Sequence, residues 1–285
     1  MGRVRAVWLT AAAAAVVVAL AAVVLVRSSD PSRASRHTYL QFNLCGSACN
    51  HGGLGVVGEF VTAVGARRPF AVTLNEVCES QYSRLRADLA AYHGHFDPTG
   101  ARCRAGDRYG NAVLVRGAEV AVVGGWDLPN PARDEARRLV CLSTGPPDAA
   151  TLVVCVTHVS NYAENIAAQV DAVAGHLRGL AGDHPVLLGG DFNTNPADAR
   201  LDPLYRTCDG SGPGVFHEAD SGGCANRSRR NHPVGSDMIN QDTYGRHKYD
   251  YVFLSDGGWS SFAAEAADAG GFSDHDWLWA TATLR

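Results

Sequence analysis

The chain lacks three features that would each point to a familiar class of protein. None of its eight cysteines belongs to a CxxC pair, which argues against a structural zinc site. No internal repeat is found at the level of sequence motifs, which argues against a repeat architecture. An excess of positive charge is also missing, because the formal net charge is −4.

This charge is distributed unevenly. The first 37 residues hold five arginines and one aspartate, so the remaining chain carries a net charge of about −8. An acidic domain does not bind nucleic acid tightly by charge alone. Two local basic clusters are interpreted as solvated surface: Arg133, Arg137 and Arg138, and Arg227, Arg229 and Arg230.

One long apolar run is present at the N-terminus. It extends from Ala6 to Val26, and Thr10 is its only polar member. About 20 apolar residues are enough for a helix that crosses a bilayer. No clean cleavage site precedes Arg27, so we favour an uncleaved membrane anchor over a cleaved signal peptide. The predicted organisation is an anchor or signal at residues 1–26, a linker at 27–37 and one domain at 38–285.

The eight cysteines follow this export segment, and an even number predicts disulfides in an extracytoplasmic location. Cys141 and Cys155 lie symmetrically about a Gly-Pro-Pro-Asp turn, so a hairpin would set them opposite one another. Cys208 and Cys224 flank a Gly/Ser-rich loop and form a second candidate pair. The protein is therefore expected to be membrane-anchored outside the cytoplasm, or secreted after cleavage.

Strand-like and helix-like segments are mixed along the domain. Apolar residues recur at helical spacing over residues 53–66, around Leu85, and from Ile166 to Leu177. Strands are predicted at His37 to Leu44, Pro69 to Leu74, Leu152 to Thr157 and Pro185 to Leu188, and three more close the domain after a loop-rich stretch at residues 209–247. This mixture predicts an α/β sandwich around packed sheets.

Polar residues with catalytic potential lie at the ends of the predicted strands. Asp191 and Asn193 follow a strand and a double glycine, which lets backbone approach a ligand closely. Being two residues apart, they would point to the same side of an extended segment. Glu76 follows another apolar strand and, with Asp274 and the neutral Asn43, is a candidate ligand of Mg²⁺.

Two of the eleven histidines lie in a similar setting. His158 ends the most strand-like segment, and His275 is flanked by two aspartates. An imidazole titrates near neutral pH and can transfer protons in ester cleavage, and Asp250 is a candidate to fix the tautomer of one ring. The pair His93 and His95 has metal-like spacing but nothing to complete a site, so we assign it to a surface loop.

Taken in order, these motifs resemble the endonuclease/exonuclease/phosphatase superfamily, which includes pancreatic deoxyribonuclease-like nucleases, sphingomyelinases and inositol-phosphate phosphatases. The segments that carry the resemblance are QFN (41–43), LNEV (74–77), RYGNAVL (108–114), VTH (156–158), GGDFN (189–193), YDYVF (249–253) and SDH (273–275). One departure is Asn75, where the family usually has glutamine, but this neighbour of the glutamate is not a ligand.

The resemblance implies a four-layer sandwich of two mixed β-sheets flanked by helices, here preceded by one N-terminal apolar helix. It also implies a requirement for Mg²⁺ or Mn²⁺. By likeness, the implied roles are metal binding by Asn43, Glu76 and Asp274, catalysis by His158, Asp191, Asp250 and His275, and substrate contact by Tyr109, Asn111 and Asn193.

Several functions follow from these expectations. The leading hypothesis is an exported, Mg²⁺-dependent nuclease acting on extracellular DNA or RNA. The alternative within the superfamily is a sphingomyelin or phospholipid phosphodiesterase, or a phosphoinositide-type phosphatase, held near a membrane by the anchor. From another class, Asp220-Ser221-Gly222-Gly223 mimics the nucleophile motif of trypsin-like serine proteases. A silent binding module would have no reason to keep the full catalytic set, and no motif points to a protein partner.

Overall fold

Two six-stranded sheets and three α-helices make up the fold in a computed structural model, which describes residues 35–117, 119–144, 151–207, 209–210, 212–221 and 241–285. The helices are α1 (Gly55–Arg67), α2 (Glu79–Asp88) and α3 (Ala163–Asp183). The strands are β1 (Ser35–Asn43), β2 (Ala71–Cys78), β3 (Tyr92–Arg102), β4 (Arg108–Arg116), β5 (Ala121–Asp127), β6 (Arg138–Thr144), β7 (Leu152–His158), β8 (Val186–Asp191), β9 (Phe216–Glu218), β10 (Asp250–Ser255), β11 (Trp259–Ala267) and β12 (Trp277–Leu284).

The strand order is β11-β12-β1-β2-β4-β3 in the first sheet and β5-β6-β7-β8-β10-β9 in the second. Both sheets are mixed, because β1 pairs with β2, and β7 with β8, in parallel, while all other pairs are antiparallel. The carboxyl ends of these two parallel pairs are where Asn43, Glu76, His158 and Asp191 lie. The topology therefore gathers these polar strand ends at one rim of the sandwich.

Three apolar cores separate four layers. Helix α1 buries Val57, Phe60 and Val64 against the outer face of the first sheet. Valines and leucines of both sheets, among them Val113 and Val154, fill the space between the sheets. Helix α3 covers the outer face of the second sheet with a stripe of buried residues at helical spacing: Ile166, Val170, Val173 and Leu177. The predicted sandwich of two mixed sheets flanked by helices is confirmed.

The double glycine has a different role from the one expected. A Cβ atom on Gly189 would lie 2.0 Å from Oγ1 of Thr73 in the facing sheet. A Cβ atom on Gly190 would lie 2.3 Å from the carbonyl oxygen of Thr157 on the paired strand. The glycines therefore let the two sheets and two strands approach each other, rather than letting backbone approach a ligand.

Some predicted boundaries differ from the structure. Strand β1 already begins at Ser35, inside the segment interpreted as linker. His93 and His95 lie in β3 and not in a surface loop, so that assignment was wrong. The sequence of β3 contains two glycines and Pro98, which disfavour a strand, but an edge strand tolerates them because only one side must pair. The loop-rich stretch at 209–247 contains the short strand β9.

The described cysteines form three disulfides: Cys45–Cys49, Cys78–Cys103 and Cys141–Cys155. The predicted Cys141–Cys155 bridge is confirmed, and it joins directly opposed residues of β6 and β7. The candidate pair Cys208 and Cys224 and the apolar segment at residues 1–26 lie outside the described residues. Within the described ranges, no helix is both long and apolar enough to cross a bilayer.

Candidate active site

A cleft of about 600 Å³ opens at the rim where the two parallel strand pairs end. Seven residues predicted for the site line it: Glu76, Tyr109, His158, Asp191, Asn193, Asp274 and His275. Asn43 and Asp250 are fully buried directly beneath it and hydrogen-bond to the lining residues. The structure therefore brings together nine of the ten predicted site residues, although they come from both sheets.

The carboxamide of Asn43 connects the two halves of the cleft. Its Nδ2 atom donates to Oε1 of Glu76 at 3.0 Å and to Oδ2 of Asp191 at 3.1 Å. The same atom lies 3.5 Å from Nε2 of His275. Its Oδ1 atom accepts from the backbone N–H of Cys45, which fixes the orientation of the amide. One neutral side chain thus holds two carboxylates together without adding negative charge.

Asp191 lies at the centre of the cleft floor. Its Oδ2 atom is 3.5 Å from Nε2 of His158 and 3.5 Å from Nε2 of His275. Burial raises the pKa of Asp191 to about 7, against the opposing effect of the nearby His275. A carboxylate with a pKa near neutrality can both accept and release a proton, which is the property that a general base needs.

His275 is held by the acidic side of the cleft. Its Nδ1 atom is 2.7 Å from Oδ2 of Asp250, which is fully buried. Burial lowers the pKa of His275, but the negative charges of Asp250, Asp191 and Asp274 outweigh burial and raise the pKa to about 10. The ring is therefore an imidazolium at neutral pH, with Nε2–H directed at the cleft.

His158 has the opposite environment. Its Nδ1 atom is 2.7 Å from a terminal nitrogen of Arg137. A guanidinium only donates hydrogen bonds, so Nδ1 accepts and the proton of the neutral ring is on Nε2, facing Asp191. Burial, with the charges of Arg137 and His275, holds the pKa of His158 well below 6.5. This ring is neutral at pH 7 and presents an N–H donor.

Glu76 and Asn193 reach the cleft through unusual backbone conformations. Glu76 has φ of +57°, and the pairing register of β2 with β4 shifts between Leu74 and Val77. Such an irregularity re-aims a side chain that the regular pleat would turn elsewhere. Asn193 has φ of +49° and is not extended, contrary to the sequence prediction; its N–H donates to Oδ1 of Asp191 in a tight turn. Left-handed backbone at non-glycine residues is costly and concentrates at functional sites.

Asn111 lies behind the cleft and does not line it. Its Oδ1 atom accepts from Nδ2 of Asn75 at 2.9 Å, and Asn75 Oδ1 in turn accepts from the backbone N–H of Asp191. Gln41 donates to both Asn75 and Asp250. Asn111 therefore belongs to a buried polar network that positions the carboxylates of the cleft, and it does not reach the cleft where a substrate would bind. No local pattern in the sequence indicates this network, because its five members lie on five different strands.

The cleft is lined by oxygen donors of the kind that a hard divalent cation binds, although Glu76, Asp191 and Asp274 do not form a three-ligand group with all atoms within 4.8 Å of one another. Glu76, Asp191 and Asp274 supply carboxylates, and Mg²⁺ takes oxygen ligands from one or two such groups and water. Oε1 of Glu135, also in the cleft wall, is buried without a hydrogen bond among the described residues, but it lies 3.4 Å from a terminal nitrogen of Arg137 in an ion pair. Two sulfurs near Asp274 belong to the Cys45–Cys49 disulfide, so no thiolate competes for softer metals.

The residues of the cleft wall that sequence reasoning missed include Arg102, Arg104, Glu135, Tyr244 and Tyr249. It also assigned Arg137 and Arg138 to solvated surface, which was wrong. Arg137 is only 6% exposed and contacts His158, and Arg138 is half-buried and pairs with Asp97. The signal that could have revealed Arg137 is its place just before a strongly apolar strand, β6, that pairs with the strand of His158.

The protease-like motif does not contribute to the cleft. Ser221 is buried outside it, and its hydroxyl donates to the carbonyl of Glu218. Asp220 pairs with Lys248 and Gln241. A serine nucleophile must lie within hydrogen-bond reach of its histidine in an accessible pocket. The described geometry therefore gives no support to a serine protease.

Comparison with known families agrees with this geometry. Residues 40–275 match the model of the endonuclease/exonuclease/phosphatase family. The match spans most of the chain, and the protein belongs to this family of hydrolases that act on phosphoester bonds. No curated protein matches the chain in sequence.

Solved structures share the fold at low identity. A family member from Bacteroides thetaiotaomicron has a TM-score of 0.66 at 13% identity, covering 89% of this chain and 99% of its own. The human Nocturnin catalytic domain with bound sulfate has a TM-score of 0.62 at 15% identity, with 90% and 99% covered. D. rerio TDP2 complexed with a single-strand DNA product has a TM-score of 0.63 at 16% identity, with 87% and 98% covered.

Proposed function

We propose that this protein is an exported, Mg²⁺-dependent phosphodiesterase that cleaves nucleic acid outside the cytoplasm. The observation that carries the proposal is the convergence of Asn43, Glu76, Asp191, His158 and His275 within one cleft. These groups supply oxygen ligands, a base and two imidazoles, which is the set that hydrolysis of a phosphodiester requires.

Asp191 is the proposed base. An attacking water in the cleft would donate its proton to the carboxylate, whose pKa of about 7 suits proton transfer near neutral pH. The water oxygen forms a bond to phosphorus while the bond from phosphorus to the leaving oxygen breaks. A bound Mg²⁺, held by Glu76 with Asp274, would supply Lewis-acid stabilisation of the charge on the phosphoryl oxygens.

The two imidazoles have separate roles in this proposal. His275, kept protonated by Asp250, donates a proton from Nε2 to the leaving oxygen. His158, kept neutral, donates a hydrogen bond from Nε2 to a phosphoryl oxygen without giving up its proton. Asn193, whose Nδ2 atom lies 3.2 Å from Nε2 of His158, extends the same wall as an uncharged substrate contact.

The preference for nucleic acid over lipid is supported by the surface around the cleft. The exposed large apolar residues of the described chain are Leu54, Val122, Val123, Tyr162 and Tyr244, and only Tyr244 lines the cleft. A phospholipid enzyme needs an apolar patch that enters the membrane surface. A structural relative, TDP2, has been crystallised with a single-strand DNA product.

Location outside the cytoplasm is supported by two features. Three disulfides join the described cysteines, and disulfides persist mainly in oxidising compartments. The apolar run from Ala6 to Val26 provides either an anchor or an export signal.

The test offers the purified full-length chain plasmid DNA, RNA, sphingomyelin and phosphoinositides, with Mg²⁺ and with a chelator. We expect chelator-sensitive cleavage of nucleic acid and at least ~100-fold slower cleavage by two variants. Asp191→Ala removes the base, and His158→Ala removes a hydrogen-bond donor to the phosphoryl group. Asp171→Ala, on the exposed face of α3, is the matched control and should cleave normally. Wild-type rates in the Asp191 variant would refute the assignment, whereas exclusive turnover of a lipid would keep the mechanism and reject the nuclease.

A further inference from the structure

Three aromatic rings form a platform at one end of the cleft. Tyr249 stacks on Tyr244, with ring centroids 5.5 Å apart and planes 16° apart, and on His247 at 5.2 Å and 12°. Tyr244 and Tyr249 both line the cleft, and Tyr244 is 37% exposed. The ring of Tyr244 also lies 4.7 Å from the ring of His275. A stack of three nearly parallel rings therefore adjoins an imidazole of the proposed catalytic set.

The backbone holds this platform in place. Tyr244 and His247 exchange two backbone hydrogen bonds across a tight turn, in which Gly245 has φ of +59°. The hydroxyl of Thr243 accepts from the backbone N–H groups of Tyr249 and Asp250. Because the rings are fixed to the strand that carries Asp250, little conformational entropy remains to be lost when a ligand stacks on them.

The opposite end of the cleft holds three arginines, one of which is paired with Glu135. Arg102 and Arg104 lie at and just beyond the end of β3, and Arg137 immediately precedes β6. Strands β3 and β6 contact each other at one side of the sandwich, whereas β10 and β12, which follow the platform and His275, meet at the other. The scissile phosphate at Asp191 would thus have flat aromatic rings on one side and guanidinium groups on the other.

This arrangement, with aromatic rings at one end of the cleft and arginines at the other, matches one class of ligand. Nearly parallel rings present a flat face, which suits another planar ring, whereas a quaternary ammonium group is bound by rings that enclose it. A sugar–phosphate chain that continues towards the arginines would be bound through its further phosphates. A nucleobase attached to the scissile phosphate satisfies both ends, and a choline headgroup satisfies neither.

We infer that Tyr244 and Tyr249 form a nucleobase-binding subsite beside the scissile phosphate, so that the enzyme requires an unpaired base at this position. The inference rests on the proposed phosphodiesterase function and names its substrate as single-stranded or locally unpaired nucleic acid. Stacking platforms of this kind bind bases with little sequence preference, because every base has a flat face.

The first experiment measures binding and not turnover. The full-length chain is titrated calorimetrically in Mg²⁺ with dAMP, with deoxyribose 5-phosphate, which lacks the base, and with phosphocholine. We expect dAMP to bind about 5- to 100-fold more tightly than deoxyribose 5-phosphate. Tyr244→Ala should abolish this difference and Tyr244→Phe should keep it. Tyr162→Ala, which removes an exposed tyrosine outside the cleft, is the control and should also keep it.

The second experiment measures cleavage of an oligonucleotide with and without an abasic residue beside the scissile bond. Tyr244→Ala should slow cleavage of the intact strand by about 5- to 100-fold and leave the abasic strand unaffected. Equal affinity of wild type for dAMP and deoxyribose 5-phosphate, equal losses on both strands, or tighter binding of phosphocholine would each overturn the subsite. If no phosphodiester is cleaved at all, the proposed function fails, but the binding comparison still decides whether the platform holds a base.

Discussion

The two sides of the cleft hold the same residue type in opposite charge states. On the side of β10 and β12, His275 contacts a buried carboxylate and has a raised pKa. On the side of β6 and β7, His158 contacts a buried guanidinium and has a lowered pKa. Both rings direct Nε2 at the same oxygen of Asp191. Burial and the charged partner at Nδ1, together with the neighbouring carboxylates around His275, therefore separate a proton donor from a neutral hydrogen-bond donor.

The largest expected effect comes from replacing each of the two histidines with glutamine. The amide of glutamine can donate a hydrogen bond but cannot act as an acid. His275→Gln should lower kcat by at least ~100-fold, because proton transfer is lost. His158→Gln should lower it by only about tenfold, because a hydrogen bond to the phosphoryl group remains possible. Steady-state kinetics on one oligonucleotide compares the two. Equal losses would mean that the rings do not have separate roles.

The Asp250→Asn variant tests the side of the cleft that holds His275. The raised pKa of His275 stabilises the fold fully below the unfolded value of 6.5, and this contribution is lost as pH rises through about 10. The variant should therefore lose most stability below about pH 6.5 and progressively less as pH rises towards 10. Its alkaline limb of activity should move from near pH 10 to lower pH, with a loss of about 10- to 100-fold at pH 8. Rate profiles and unfolding curves against pH measure both effects.

The matched control is Asp256→Asn, just beyond the other end of β10. Asp256 also pairs with a histidine, His217, at 3.0 Å, but this pair lies away from the cleft. An unchanged rate profile is expected there. A similar shift in both variants would show that general charge, and not the contact with His275, sets the profile.

The Arg137→Gln variant tests the side of the cleft that holds His158. The lowered pKa of His158 means that the unfolded state binds a proton below about pH 6.5 before the folded state does, so stability falls as pH falls below this value. Removing the charge of Arg137 should raise the pKa of His158. The loss of stability at low pH should then be smaller, and the acidic limb of activity should move to higher pH. The change in rate at pH 7 should be no more than about tenfold.

The imidazole proton signals of His158, followed by NMR across pH, report its pKa directly. Arg133→Gln is the control, because Arg133 is exposed and belongs to the same basic stretch of sequence. If Arg133→Gln shifts the titration of His158 as much as Arg137→Gln does, the short contact with Nδ1 is not the cause.

The smallest expected effect is a change in KM, and it concerns a disulfide on the basic side of the cleft. Cys78–Cys103 joins the strand of Glu76 to the first residue after β3, between Arg102 and Arg104. Replacing both cysteines with serine should raise KM by roughly tenfold or less, because this segment moves relative to the phosphate site. Cys141–Cys155 is a buried staple away from the cleft, and its removal should lower the free energy of unfolding by about 2–4 kcal/mol without changing KM. Equal KM values in both variants would mean that the rim does not need its disulfide.

Strand-end residues such as Glu76, His158 and Asp191 were predictable because each interrupts an apolar run at its end, and that pattern is local. Their hydrogen-bond partners were harder to predict. Asn75 was dismissed as a neighbour of a ligand, yet it links Gln41, Asn111 and the backbone of Asp191 across both sheets. Arg137 resembled a surface arginine, since nothing nearby in sequence shows that His158 lies beside it.

The order and type of the central strands, the helices that cover them and the identity of the polar groups at their ends were all determined by the amino-acid sequence alone. They depend on hydrophobic periodicity and on residue types within a few positions. Only the tertiary structure decided which charge each histidine carries, where β3 pairs, and that Tyr244 and Tyr249 stack beside the cleft. The physical reason is that burial, charge and ring stacking act through space, between residues that strand register brings together from distant parts of the chain.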